Sequence, residues 1–147
     1  MNVAGKTVVI TGASRGIGAE AARVFAAAGA NVALIARSSD AIEKLATEIG
    51  TQAIALTCDV ASYASVEDAI AKAKETFGSV DILIHNARVI EPIAHLAIVD
   101  PDKWGTVIDI TLKGVFHGMR AVLPMMIGSC GGSILKISSG ADNGPVE

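Results

Sequence analysis

The stretch Thr7-Val8-Val9-Ile10-Thr11-Gly12-Ala13-Ser14-Arg15-Gly16-Ile17-Gly18 decides the fold of this chain. Its first five residues are an apolar, β-branched run suited to a buried strand. The glycines then turn the chain without side chains in the way. From Ile17 onward Ala21, Val24, Phe25 and Ala28 recur at helical spacing, and Gly29 is the stop signal. A strand, a glycine loop and a helix in that order aim backbone N–H groups and the positive end of a helix dipole at one point, which suits a pyrophosphate. The spacing is GxxxGxG rather than GxGxxG, so the generic dinucleotide fingerprint is not strictly matched.

The same alternation continues outward. Strands are expected at Lys6 to Thr11, Asn31 to Ala36, Gln52 to Thr57, Val80 to His85 and Ser133 to Ser138. A second helix carries Ile42, Leu45 and Ile49, with Ser39 or Asp40 as N-cap and Gly50 as stop. A third carries Val66, Ala69, Ile70, Ala73 and Phe77, closed by Gly78. One long fourth helix is expected, with Trp104, Ile108, Leu112, Val115, Met119, Val122 and Met126 as its seam and Pro124 bending or fraying its last turn. Strands joined by helices in this way imply a Rossmann-like, doubly wound α/β fold with a parallel sheet of about five strands, spanning residues 1–147 as a single dinucleotide-binding domain. Ligands of such sheets bind beyond the carboxyl ends of the strands.

Composition narrows the function classes. The chain has 147 residues, 51% of them hydrophobic but only 3% aromatic, so the core must be aliphatic. Its net charge is −3, with acids and bases interspersed, and nothing recruits nucleic acid or an anionic membrane. Cys58 and Cys130 lie far apart without metal-ligand spacing, and His85, His95 and His117 show none either, so no metal site is expected. The N-terminus lacks the pattern of a signal peptide, and no segment approaches the apolar length of a membrane span. A cytoplasmic protein is the default expectation.

At the end of the second strand, where an NAD site places an acid for the ribose hydroxyls, the chain has Ala36-Arg37. A guanidinium there suits a 2′-phosphate, and Arg15 in the glycine loop can approach the same group. NADP is therefore expected over NAD.

The Thr11–Gly18 loop, Asp59 after the third strand and His85-Asn86-Ala87 after the fourth resemble the short-chain dehydrogenase/reductase family. Trp104, the run Leu112-Lys113-Gly114-Val115-Phe116 and the segment from Gly132-Ser133-Ile134 to Ser138-Ser139 extend the match. The resemblance covers essentially the whole chain, but only the first part of a typical member. It implies hydride transfer between nicotinamide and the carbon of a small-molecule carbonyl or alcohol. It implies that Gly12, Ser14, Arg15, Gly16, Ile17, Gly18, Arg37, Asp59, Val60, Asn86 and Ala87 contact the cofactor, with Asp59 at the adenine. Ser139 matches the serine that polarises the substrate carbonyl.

Four positions depart from the family's pattern. The only tyrosine, Tyr63, precedes Ala64-Ser65-Val66-Glu67, so these residues hold no Tyr-x-x-x-Lys, and by the family's pattern that motif falls beyond Glu147. Arg88 stands where a glycine follows Asn-Ala, Thr111 where a proton-relay Asn stands, and Lys136 where another Asn precedes Ile137-Ser138-Ser139. A C-terminally truncated, inactive chain is the corresponding expectation, with a non-catalytic NADP-binding or oligomerising module as the alternative. The uncovered edge at Ile134, Leu135 and Ile137, together with the apolar fourth helix, predicts a homo-oligomer.

Overall fold

Five apolar runs form five parallel strands in the computed structural model, which describes residues 2–138. The strands are β1 (Thr7–Thr11), β2 (Asn31–Ala36), β3 (Ala53–Thr57), β4 (Ile82–His85) and β5 (Ser133–Lys136). They lie in the order β3-β2-β1-β4-β5, a doubly wound sheet whose order reverses between β1 and β4. Each predicted strand is present, shortened by up to two residues at an end.

The helices are α1 (Gly16–Ala27), α2 (Ser39–Ile49), α3 (Tyr63–Phe77), α4 (Pro101–Ile108) and α5 (Gly114–Gly128). Strand residues alternate between two cores. Val8, Ile10, Val32 and Leu34 face α1 and α2, while Val9, Ala33, Ile35 and Leu83 face α3 and α5. Both faces are covered, which is why the strands read as continuous apolar runs rather than as alternating ones.

Three local expectations are corrected. In α1 the buried face is Gly18, Ala19, Ala22 and Ala26, whereas Ile17 and Val24 are each 59% exposed. Small side chains let the helix lie close to the sheet; Ala21 and Phe25 of the expected stripe are half-buried against the same core. The N-cap of α2 is Ser38, one residue earlier than expected. The long fourth helix is two α-helices joined by a π-helical turn at Asp109–Lys113. That wider turn rotates the face, so the buried line is Ile110, Gly114, Gly118, Ala121, Val122 and Met126. Trp104 and Leu112, from the predicted seam, are exposed. Helix α5 continues past Pro124 to Gly128.

The glycines on the buried line of α5 explain its close approach. A Cβ on Gly114 would stand 3.0 Å from Val60 Cγ2, and one on Gly118 would collide with the His85 ring. Leu135, on edge strand β5, is 45% exposed, while Ile134 and Ile137 each pack against one of the two cores.

Candidate functional site

The strand ends at the topological switch point open into a cleft of about 810 Å³. Its wall begins with Gly12, Ser14, Arg15, Gly16 and Ile17 from the glycine loop. It continues with Arg37 after β2, Asp59 and Val60 after β3, and Asn86 and Ala87 after β4. Ten of the residues singled out in the sequence thus line one cleft. Gly18 lies behind the wall, buried in α1. Ser139 lies outside the described residues.

The glycine loop is held by the end of β4. The side-chain amide of Asn86 donates to the carbonyl oxygens of Thr11 (3.1 Å) and Gly12 (3.0 Å). In return the Thr11 hydroxyl oxygen accepts the backbone N–H groups of Asn86 and Ala87, both at 3.1 Å. These four bonds span the gap between β1 and β4. They leave no room for a side chain at Gly12 or Gly18. A Cβ on Gly12 would lie 2.8 Å from Ala87 Cα, and one on Gly18 would run into the Gly12 carbonyl oxygen. Gly12 (φ 68°) and Gly16 (φ 58°) also occupy the left-handed region that favours glycine.

Helix α1, like α2, begins without a capping side chain. Ser62 caps α3 and Asp100 caps α4 through side-chain hydrogen bonds, but Arg15, the N-cap of α1, makes none. No acid sits in the first turn of α1 either. Its first N–H groups are therefore left for an anion in the cleft. A Cβ on Gly16 would meet nothing within 4 Å, so space for such a group exists on the cleft side. A dinucleotide's pyrophosphate fits this donor set.

Around the rest of the cleft, Asp59 Oδ1 accepts the Ala61 N–H at 3.0 Å, which orders the turn after β3. Cys58 lines the floor, and burial pushes its thiol above the ordinary range. Thr111, from the π-helical turn, both receives the Val89 N–H (3.5 Å) and donates to the Val89 carbonyl (3.4 Å). The turn thus anchors the loop after β4, where Arg88, Val89, Ile90 and Glu91 complete the wall. His85 is 2% exposed at the base of that loop, its Nε2 unpartnered. Burial first, and Lys136 second, pull its pKa down to about 4, so it is neutral.

Sequence reasoning missed Thr11 as a hub and the wall formed by Val89, Ile90 and Glu91. The paired glycines at 114 and 118 would have revealed the true contact face of α5 had their four-residue spacing outweighed the larger apolar side chains. Among the described residues there is no cluster of metal-ligating side chains, and no helix is long and apolar enough to cross a membrane.

The chain matches the short chain dehydrogenase family over residues 6–147. Oxidoreductase UcpA of Salmonella typhimurium is 48% identical over 138 residues, covering 92% of this chain and 52% of its own. Trans-4-hydroxycyclohexanecarboxylate dehydrogenase of Sinomonas cyclohexanicum is 38% identical over 146 residues, covering 93% of this chain and 56% of its own. The crystal structure of 3-ketoacyl-(acyl-carrier-protein) reductase from Brucella melitensis complexed with NADH superimposes with a TM-score of 0.89 at 31% identity. That comparison covers 96% of this chain and 60% of the other. The chain therefore spans about half the length of the relatives it matches. A five-stranded parallel sheet in the order β3-β2-β1-β4-β5, a glycine loop clasped by Asn86 and a match over nearly all its residues lead to one conclusion: the chain belongs to the short-chain dehydrogenase family.

Proposed function

We propose that the cleft binds a nicotinamide dinucleotide, NADP(H) in preference to NAD(H), for hydride transfer between that cofactor and a small-molecule carbonyl or alcohol. The uncapped start of α1 beneath the clasped glycine loop supports dinucleotide binding. The preference rests on Arg37, which stands at the carboxyl end of β2 with Arg15 on the same cleft wall. Among the described residues neither arginine forms an ion pair, so both forks are open to a 2′-phosphate. The substrate class takes support from two similar proteins whose names specify a ketoacyl group and a cyclic alcohol.

In this scheme Gly12, Ser14, Arg15, Gly16 and Ile17 hold the pyrophosphate and the adenosine phosphate. Asp59 and Val60 flank the adenine, and Asn86 and Ala87 flank the far ribose. The cofactor when bound supplies the hydride; the protein orients it and excludes water. Ser139 polarises the substrate oxygen. These 147 residues contain no Tyr-x-x-x-Lys to donate the proton. Alone they bind without turnover, since a positioned acid contributes roughly 10²–10⁴-fold. A non-catalytic NADP-binding or oligomerising module is the second reading, favoured by Leu112, Phe116 and Ile127, large apolar side chains that stand exposed on the π-helical turn and α5.

Calorimetric titration with NADPH, and with NADH as control, tests this. Tighter binding of NADPH, reduced about tenfold by Arg37→Gln without loss of NADH binding, is expected, as for one charge-assisted phosphate contact. Equal affinity for the two cofactors removes the NADP assignment, and no binding of either removes the function.

A further inference from the structure

The turn after β3 puts Cys58, Asp59 and Val60 on one end of the cleft. Most of the bonds that shape it are local. The Ser65 hydroxyl oxygen accepts the Asp59 N–H at 3.2 Å, and Asp59 Oδ1 accepts the Ala61 N–H at 3.0 Å. The Asp59 carbonyl accepts the Ser62 N–H at 3.0 Å. One bond ties the start of the turn to the sheet, from the Cys58 N–H to the Ala36 carbonyl at 3.0 Å. The middle of the turn is held from another element. His117, on α5 and 57 positions away, places its Nδ1 2.9 Å from the Val60 carbonyl oxygen.

The imidazole is built into this place. Among the described residues no backbone N–H reaches the Val60 carbonyl, so the ring is its partner. A carbonyl only accepts; Nδ1 therefore carries the proton. Gly114, three residues earlier on the same face of α5, makes the approach possible. A Cβ there would stand 3.0 Å from Val60 Cγ2 and 3.4 Å from the same carbonyl oxygen. On α3 the Tyr63 ring meets the imidazole edge to face, with centroids 5.8 Å apart. Tyr63 is fixed in turn by its hydroxyl, which donates to Glu67 Oε1 at 3.1 Å. Val60 is only 8% exposed, so its carbonyl has little water to replace a lost donor.

We propose that His117 is a positioning residue for an adenine ring: its bond to Val60 fixes the middle of the turn after β3, and with it the apolar wall on which the base packs. This deepens the dinucleotide reading above and rests on it. His117 acts through Val60 and touches only protein. What the turn requires is a donor at the Nδ1 position. Asn supplies one at a similar reach, whereas Phe supplies a ring without it. The pyrophosphate end of the cleft is held by the Asn86 clasp and does not depend on this bond.

ADP and inorganic pyrophosphate serve as probes, each titrated by calorimetry into the protein, His117→Phe and His117→Asn after a melt has shown that the variant folds. In His117→Phe the affinity for ADP is expected to fall about tenfold and that for pyrophosphate to change less than about twofold. His117→Asn is expected to keep ADP affinity within about threefold of the parent chain. ADP carries no 2′-phosphate, so the result is independent of the choice between NADP and NAD. Equal losses of ADP and pyrophosphate mark a general loosening of the fold and overturn the proposal. Unchanged ADP affinity in His117→Phe overturns it as well, and leaves the dinucleotide reading standing. A parent chain that binds neither probe removes that reading, and the role of His117 with it. If His117→Phe does not fold, nitrogen NMR of the parent chain's His117 ring decides. A protonated Nδ1 whose signal moves with ADP but not with pyrophosphate is expected. An unprotonated Nδ1, or the same response to both probes, overturns the role.

Discussion

The Asn86 side chain reaches across the switch point to the Gly12 carbonyl at 3.0 Å, so the end of one strand fixes the phosphate loop that follows another. Its second bond, to Thr11, makes the amide a two-point clasp. Because both acceptors are carbonyl oxygens, only a donor can fill this place. Asn86→Ala is expected to cost about 1–3 kcal/mol in urea unfolding. Asn86→Asp should cost more, because it sets a carboxylate against two carbonyls. A chain as stable with Asp as with Asn would show that the clasp contributes nothing.

Two glycines in neighbouring helices should respond oppositely to alanine. Gly118 lies against the His85 ring, whereas a Cβ on Gly105, in α4, meets nothing within 4 Å. Gly118→Ala should destabilise by about 1–3 kcal/mol through overpacking. Gly105→Ala should stabilise by about 0.5–1 kcal/mol, through helix propensity alone. Thermal melts of the two variants side by side check both signs.

Acid should loosen the α5 face through His85. Its pKa lies near 4 in the fold against 6.5 for the free side chain. The unfolded chain therefore binds the proton more readily, and stability falls as pH drops from about 6.5 to about 4. The loss is on the order of 3 kcal/mol at most. His85→Asn should remove most of this slope. Asp81 acts lower on the scale. Burial opposes its ionisation, but bonds from the Thr7 N–H, Ser79 and Lys6 outweigh burial and hold the carboxyl below its ordinary value. Its contribution is lost only as pH falls below about 3.8 and through that lowered pKa. Urea midpoints across pH 4–7 for both chains measure the difference.

The Thr111 hydroxyl makes a reciprocal pair with the Val89 backbone. Thr111→Val keeps the shape and removes both bonds. Faster hydrogen exchange at the Val89 amide is expected, with a stability loss of about 1 kcal/mol. An unchanged exchange rate would mean that the π-helical turn does not restrain this wall of the cleft.

The sequence by itself determined the order of strands and helices, the glycine loop and the carboxyl-edge location of the cleft. Each of these follows from local signals: apolar runs of strand length, glycines at Gly12, Gly16 and Gly18, and stops at Gly29, Gly50 and Gly78. Tertiary structure alone decided which helix faces are buried. In α1 Ala19, Ala22 and Ala26 went inward and Ile17 outward, because the close approach of the helix to the sheet admits only small side chains there. It also decided the break at Asp109–Lys113, where one wider turn brings Gly114 against Val60 and Gly118 against His85. The clasp of Asn86 on Thr11 and Gly12 joins residues more than seventy positions apart. No local pattern encodes such a bond; it exists only once β1 and β4 lie side by side.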